Sequence, residues 1–233
     1  MAPSPPLRLV SGLLELLYPP RCAFCAKVLS PGSPASGICT DCAAALHRTG
    51  PATVSQNGDC FSRCLSPLFY QGLAAQSIRR YKFSGKACYH QAYGPLLRSC
   101  LSRNLNEPPD LVTWAPLNRW RRYRRGYDQA LLLAREAGAL YGQEPVRLLE
   151  KVRNTQPQSS LSAEKRRQNV RGVYRLAPGC PNLEGKRILL VDDVITTGST
   201  LSACAAVLTA AGAEDVVCLT LARAGADKGE ADC

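Results

Sequence analysis

The stretch that decides the fold is Arg187-Ile-Leu-Leu-Val-Asp-Asp-Val-Ile-Thr-Thr-Gly-Ser-Thr200. Residues 188–191 form a continuous apolar run without a polar face, which indicates a strand buried on both sides of a parallel sheet. Asp192 and Asp193, the acidic pair, follow this run, and the hydroxyl-rich turn at residues 196–200 leads into a predicted helix. Strand, acidic pair, turn and helix in this order predict an open α/β sheet with a ligand site at the strand ends.

The turn at residues 196–200, called the phosphate turn below, has the composition of an anion site. A glycine in it lets the backbone approach a phosphate without an intervening Cβ, and the N–H groups of a first helical turn attract negative charge. The neighbouring hydroxyls add donors, and the acidic pair lies where ribose hydroxyls or a Mg²⁺ shell can be held. The candidate ligand residues are Asp192, Asp193, Thr196, Thr197, Gly198, Ser199 and Thr200.

The same stretch resembles the phosphoribosyl-pyrophosphate (PRPP) motif of type I phosphoribosyltransferases, in which a hydrophobic strand precedes Asp-Asp and Thr-Thr-Gly. The resemblance implies that the acidic pair binds the ribose hydroxyls of PRPP, with Mg²⁺, and that the phosphate turn binds its 5′-phosphate. It also implies the fold class, α/β with a type I phosphoribosyltransferase-like doubly wound parallel sheet.

The net charge and the hydrophobic content of the chain indicate which partners and which cellular location to expect. The 233 residues are 45% hydrophobic and carry 29 Lys+Arg against 18 Asp+Glu, a net charge of +11 that favours polyanionic partners. Most of the basic residues are arginines, whose planar fork suits phosphate and nucleic acid. Residues 7–17 are too short and too often interrupted by polar residues to span a bilayer, and no cleavage site follows them. We therefore predict a short amphipathic helix there, no transmembrane segment and a cytoplasmic location.

In that compartment, 12 cysteines indicate metal ligands or free thiols rather than disulfides. Two C-x2-C pairs are separated by thirteen residues, and two such turns together complete a tetrahedral zinc site. Four thiolates are typical of a closed structural site, and redox chemistry is the alternative. The predicted ligands are Cys22, Cys25, Cys39 and Cys42.

The role of Cys60 and Cys64 stays open. Two thiols cannot complete a tetrahedron alone, so this pair either contributes to a second metal site, replaces one of the other pairs or is a remnant. Composition changes near residue 66. We therefore predict an amino-terminal helix and zinc ribbon over residues 1–66 and a phosphoribosyltransferase-like domain over residues 67–233.

Two basic segments are candidate phosphate contacts. The first follows a predicted strand at 111–116 and interleaves arginines with aromatic residues, as proteins do to pair phosphates and stack the bases of a single strand; a solvated helix start is the alternative. The second lies between predicted strands at 146–149 and 173–176, where type I phosphoribosyltransferases have a flap over pyrophosphate. Lys82 and Lys86 are either solvated charges or a further anion contact. The candidate pyrophosphate or DNA contacts are Arg119, Arg121, Arg122, Arg124, Arg125, Arg153, Arg166 and Arg167.

From about Leu13 to Arg223 the chain resembles the ComF family of late competence proteins. The matching elements are the Cys₄ ribbon, Tyr81-Lys82-Phe83, Arg125-Gly-Tyr-Asp-Gln-Ala130, Thr155-x-x-Gln158 with Asn169, and residues 191–198. The resemblance implies a PRPP-binding protein with structural zinc that handles single-stranded DNA, with the competence DNA-uptake machinery as a further partner. An active phosphoribosyltransferase with an unidentified acceptor is the alternative, and a ribonucleotide-sensing regulator would use the same site without chemistry.

Overall fold

The computed structural model describes residues 19–29, 37–46, 48–49, 60–152 and 172–225. The predicted amino-terminal helix at 7–17 lies outside these ranges, and so do Arg153, Arg166 and Arg167. The side chains of residues 119–121 are likewise outside the description. None of the helices in the described ranges is long and apolar enough to cross a membrane.

The centre of the structure is a five-stranded parallel sheet. Four strands are hydrogen-bonded in the order β1-β7-β6-β3, and β2 also pairs with β7. Strands β4 and β5 form a separate antiparallel pair. This arrangement confirms the predicted α/β class with a parallel sheet. The strands are β1 (Arg63–Leu65), β2 (Leu68–Phe69), β3 (Leu111–Trp114), β4 (Leu149–Lys151), β5 (Tyr174–Leu176), β6 (Arg187–Ile195) and β7 (Asp215–Arg223).

One helix begins and ends at recognisable local signals. Asp128 caps it by accepting the N–H of Leu131, and Gly142, which is left-handed (φ 65°), ends the helical segment that follows it. A 3₁₀ turn, Ala139–Tyr141, lies between these two signals. The helices are α1 (Thr40–Ala45), α2 (Gly72–Phe83), α3 (Tyr89–Asn104), α4 (Arg119–Arg125), α5 (Gln129–Gly138) and α6 (Ser199–Ala210).

Strand β6 is buried on both faces, which explains its continuous apolar run. Leu189 and Val191 contribute to the core shared with α2, α3 and α5. Ile188 and Leu190 contribute to a second core with α6 and the β4–β5 pair. Because successive side chains alternate along a strand, Asp192 and Asp193 continue this division between the two faces. After Asp193 the alternation is interrupted, since Val194 packs against the first core and Ile195 belongs to the second.

Two strand boundaries differ from the prediction. β6 continues to Ile195 because β7 runs beside it to Arg223, so the acidic pair lies inside the strand and does not follow it. β1 lies before the boundary predicted at residue 66 and pairs in parallel with β7, with Cys64 opposite Cys218. The zinc-ribbon residues also share their core with the sheet, since Cys22 and Phe24 are fully buried in the same cluster as Leu189.

Gly94 lies where α3 crosses α5, and an alanine there is expected to destabilise the fold. A Cβ at Gly94 would lie 2.7 Å from Cδ of Glu136, whose carboxylate binds Arg98 at 2.5 Å and His90 at 2.9 Å. Gly94→Ala must displace this carboxylate from Arg98 and His90, and the loss of these contacts is partly offset by the higher helix propensity of alanine. The free energy of unfolding in urea titrations should therefore fall by about 1 kcal/mol. Gln91→Ala, on the exposed face of α3, is the control, and an equal effect of both changes would contradict the argument.

Candidate functional site

Strands β3, β6 and β7 end at one edge of the sheet. Trp114, the last residue of β3, is in register with Val191 of β6, and Ala222 of β7 is in register with Val194. The loop that follows β3, the acidic pair and the phosphate turn therefore meet at this edge. Carboxyl ends of parallel strands are the usual ligand position in open α/β sheets.

The acidic pair points to opposite faces of β6, and a lysine neutralises one of its members. Lys82 Nζ lies 2.7 Å from Asp193 Oδ1, and the N–H of Asp193 donates to Asp192 Oδ1 at 2.8 Å. By the strand alternation, Asp193 lies on the face covered by α2 and Asp192 on the face covered by α6. Burial opposes the charge of Lys82, but the attraction of Asp193 raises its pKa above the ordinary value.

Asp192 is the unusual acid of the site. Burial, followed by the neighbouring charge of Asp193, raises the pKa of Asp192 to about 8. Near neutral pH the acidic pair therefore holds a proton, and a bound cation or hydroxyl donor would favour its release. A strongly raised carboxyl pKa at the ligand edge of a sheet is typical of a functional position.

Asp192→Asn is expected to flatten the pH dependence of stability. The folded-state pKa of Asp192, about 8, lies above the ordinary value of about 3.9 for an unfolded aspartate. The stability associated with its protonated form is fully present below pH 4 and is lost as pH rises towards 8. This group alone should therefore lower the unfolding free energy by up to about 1.4 kcal/mol per pH unit.

Urea unfolding between pH 5 and 8 measures this slope. The asparagine variant should be the more stable protein at pH 8 and should show a smaller slope than the wild type. Asp215→Asn, at the opposite end of the sheet, serves as the control and should keep the wild-type slope. A wild-type slope in the Asp192 variant would contradict the assignment.

The phosphate turn has the backbone of an anion cradle. Gly198 is left-handed (φ 72°) and is the N-cap of α6, and it supplies no side-chain cap to the first-turn N–H groups. These donors point out of the helix end, where a ligand or solvent must satisfy them. The hydroxyls of Thr197 and Ser199 lie 2.8 Å apart beside them. A Cβ at Gly198 would make only ordinary contacts with Ile195 and Phe61, so the positive φ, rather than space, requires glycine.

Helix α4 presents arginines and aromatic rings at the same edge. The Arg125 guanidinium lies 5.0 Å from the centre of the Phe83 ring and donates to Gln129 Oε1 at 3.0 Å. Phe83 is 71% exposed and Tyr123 is 82% exposed. Arg122 and Arg124 are exposed on the same helix. The structure thus places Arg125 against an exposed aromatic ring and leaves Arg122, Tyr123 and Arg124 exposed on the same helix.

The four predicted zinc ligands form one cluster. Their sulfur atoms lie within 4.8 Å of one another, and the sulfurs of Cys25 and Cys39 are 3.7 Å apart. Zn–S bonds of about 2.3 Å in a tetrahedron require about 3.8 Å between sulfurs. The N–H groups of Phe24 and Cys39 donate to Cys22 Sγ at 3.4 Å each. The cluster of Cys22, Cys25, Cys39 and Cys42 therefore fits a structural zinc ion.

Backbone donors prepare one of these thiols to ionise. Burial alone would raise the pKa of Cys22, but hydrogen bonds from backbone N–H groups lower it to about 7. Such donors stabilise the thiolate that zinc requires. The redox alternative for these cysteines gains no support from this arrangement, because four sulfurs, rather than one pair, converge.

Cys60 and Cys64 do not join this cluster. Cys64 is buried in β1, and burial raises its pKa to about 12, as expected of a core thiol. Within the described ranges the four-cysteine cluster is the only group of three or more residues that could hold a metal. A second metal at Cys60 and Cys64 would need ligands from elsewhere in the chain.

Sequence reasoning left the role of Lys82 open, and it did not identify Phe83 as a surface residue. A signal for Lys82 was available: it lies four residues after Ile78, which is fully buried, and residues four apart share one face of a helix. The exposure of Phe83 follows from the end of α2 at that residue.

Two family models match separate stretches of the chain. Residues 131–232 match the family described as phosphoribosyl transferase domain. Residues 13–61 match the family described as double zinc ribbon domain. The first match contains β6, the acidic pair and the phosphate turn, and the second contains the four-cysteine cluster.

Curated relatives are similar over part of their length. Competence protein F of Haemophilus influenzae is 34% identical over 152 residues, which cover 63% of this chain and 66% of the relative. DNA utilization protein YhgH of Escherichia coli O157:H7 is 36% identical over 116 residues, which cover 49% of this chain and 50% of the relative. The matched regions thus span between half and two thirds of these relatives.

Among solved structures, phosphoribosylpyrophosphate synthetase from Mycobacterium smegmatis is similar with 18% sequence identity and a TM-score of 0.33. The similarity covers 58% of this chain and 33% of that protein. A TM-score of this size does not establish a shared fold.

Proposed function

We propose that this chain, a homologue of competence protein F and YhgH with a phosphoribosyl transferase domain and a zinc ribbon, binds PRPP with Mg²⁺. The observation that carries the proposal is the convergence, at one sheet edge, of the acidic pair, Lys82 and the left-handed turn at Gly198. These groups supply acceptors for hydroxyls and donors for a phosphate within one site.

Each part of PRPP has a matching group. The 5′-phosphate would bind the first-turn N–H groups of α6 and the hydroxyls of Thr197 and Ser199, because a helix N-terminus attracts anions. The ribose hydroxyls would donate to Asp193 and Asp192. A bound Mg²⁺ would supply charge neutralisation for the pyrophosphate. Lys82, already at this edge, would add a second positive charge.

The acidic pair has the charge state that such a ligand needs. In the unbound protein Lys82 holds Asp193 by an ion pair, and Asp192 retains a proton near neutral pH. Binding of Mg²⁺ and ribose hydroxyls favours the ionised form of both acids, so binding should release a proton. The affinity for PRPP is therefore expected to increase from pH 6 to pH 8.

Titration calorimetry with Mg²⁺ and PRPP tests the proposal. We expect saturable heat with PRPP and weaker heat with ribose 5-phosphate, which lacks the pyrophosphate. Pyrophosphate release in the presence of a panel of bases and amines tests whether the site also transfers the phosphoribosyl group. Turnover would establish the enzyme, binding without turnover would favour a binding or sensing role, and no heat with PRPP would refute the proposal.

We further propose that the surface around α4 binds single-stranded DNA, because exposed rings and arginines alternate there. Arg125 stacks on Phe83, and both Tyr123 and Arg124 are exposed. Single-strand-binding proteins combine such aromatic platforms with a basic groove. The net charge of +11 supports attraction to a phosphate backbone without sequence preference. Arg119, Arg121, Arg153, Arg166 and Arg167 remain candidates for the same polyanions.

Phe83→Ala is expected to weaken single-stranded DNA binding about tenfold, because stacking contributes on the order of 1–3 kcal/mol per base. The salt dependence of binding should stay unchanged, since no charge is lost. Arg124→Ala should instead reduce the salt slope by about one unit. Fluorescence anisotropy with an oligonucleotide over a salt series measures both quantities. Leu140→Ala, a partly exposed residue after α5, is the control, and wild-type affinity of the Phe83 variant would refute the stacking role.

A further inference from the structure

The middle of helix α2 contacts the turn at residues 22–25, called the metal-binding turn below. The Ser77 hydroxyl donates to the carbonyl of Ala23 at 2.6 Å. Arg80 Nη2 donates to the carbonyl of Phe24 and lies 3.4 Å from that of Ala23. Both accepting carbonyls belong to the two residues between the ligands Cys22 and Cys25, so α2 is attached to the metal-binding turn itself.

The contact is buried and fully ordered by hydrogen bonding. Ser77 gives its one proton to Ala23, so the Tyr93 hydroxyl, 2.6 Å away, must donate to Ser77. The Phe24 ring meets Tyr93 edge-on, with centroids 5.8 Å apart and an interplanar angle of 69°. Phe24, Ser77 and Tyr93 are all fully buried. A movement of the turn would therefore be transmitted to α2 rather than absorbed by solvent.

The end of the same helix forms the ligand site. Lys82 lies five residues after Ser77, about 7.5 Å along the helix axis, and binds Asp193 at 2.7 Å. The preceding residue, Tyr81, donates its hydroxyl to the carbonyl of Gln129 at 3.0 Å and accepts a hydrogen bond from Tyr127 at its own carbonyl. The position of Lys82 thus depends on where α2 is held.

Zinc bound to Cys22 and Cys25 would fix the peptide groups between them, and these groups hold α2. Arg80 Nε is buried and has no hydrogen-bond partner among the described residues. The Arg80 guanidinium therefore relies on the carbonyls of Ala23 and Phe24 as its hydrogen-bond acceptors. If the turn relaxed without metal, α2 would lose these acceptors, and even a half-buried cation without acceptors is costly.

We propose that zinc occupancy of the four-cysteine cluster sets the affinity of the ribose-phosphate site, and that Ser77 and Arg80 are the positioning residues that join the two. The inference rests on the proposed binding of PRPP. Coupling passes from the metal-binding turn through α2 to Lys82 and Asp193. The zinc ribbon would then regulate the ligand site in addition to stabilising the fold.

Removal of zinc from the purified full chain with a chelator is the first test. We expect the affinity for Mg²⁺-bound PRPP, measured by calorimetry after excess chelator is removed, to fall about tenfold, within the usual range of coupling between two sites. Amide hydrogen exchange in residues 77–83 should become faster, and added zinc should restore both quantities. Unchanged affinity together with unchanged exchange would overturn the proposal.

The double variant Ser77→Ala/Arg80→Met separates coupling from folding. It should retain about one zinc per chain, bind PRPP more weakly than the wild type and show little further loss when zinc is removed. Arg79→Met, one residue away on the exposed face of α2, should respond to zinc like the wild type. If the double variant also responds like the wild type, the proposed connection is wrong.

The two proposals can fail separately. If the zinc-loaded wild type gives no heat with PRPP, the proposed function fails, while exchange in residues 77–83 still reports whether zinc holds α2. If zinc removal unfolds the whole chain, as circular dichroism would show, the zinc-loaded double variant decides. Wild-type affinity in that variant, compared with the Arg79 control, would then overturn the coupling.

Discussion

Asp193→Asn is expected to lower the affinity for Mg²⁺-bound PRPP by at least about 100-fold, because hydrogen bonds to charged groups and breakage of partly buried ion pairs each contribute several kcal/mol. The change removes the negative charge that Lys82 faces at 2.7 Å. It also replaces a carboxylate, which accepts only, by an amide that presents donors to the ribose hydroxyls.

Calorimetry on the folded variant measures this effect, with thermal unfolding as the check on integrity. The matched control is Asp215→Asn, at the opposite end of the sheet, which should bind PRPP like the wild type. Lys82→Met and the double variant complete a thermodynamic cycle. Because the two side chains are in direct contact, their effects should be less than additive. An affinity for the Asp193 variant within threefold of the wild type would refute its role.

Cys22→Ser is expected to cause the largest loss of stability in the chain. A serine hydroxyl does not replace a thiolate in a Cys₄ site, so zinc content should fall from about one ion per chain to near zero. Structural zinc contributes on the order of 10 kcal/mol of apparent binding free energy to small domains. Cys22 and Phe24 share a core with Tyr93 and Leu189, so the damage should reach the parallel sheet.

Metal analysis and urea unfolding test this expectation. The midpoint of the single unfolding transition should decrease, since one core contains both parts of the protein. Cys88→Ser, at an exposed thiol, is the control and should retain zinc and stability. Retention of zinc by the Cys22 variant would contradict the ligand assignment. Two separate transitions would contradict the shared core.

The sequence by itself determined the local chemistry of this protein. The apolar run at residues 188–191 specifies a buried strand, and the turn at residues 196–200 leads into a helix as predicted. The spacing of the two C-x2-C pairs specifies a four-sulfur cluster. These predictions succeed because each depends on residues that are close together in the chain, where periodicity and turn chemistry decide the structure.

Only the tertiary structure decided which of these features act together. Because β6 pairs with β7 beyond the acidic pair, Asp192 and Asp193 lie within the strand and therefore point to opposite faces of the sheet. Lys82 forms an ion pair with Asp193, and Ser77 and Arg80 donate hydrogen bonds to the metal-binding turn. These contacts join distant parts of the chain. Such contacts follow from the packing of α2 between the zinc ribbon and the sheet, and packing among distant residues leaves no periodic signal in the sequence.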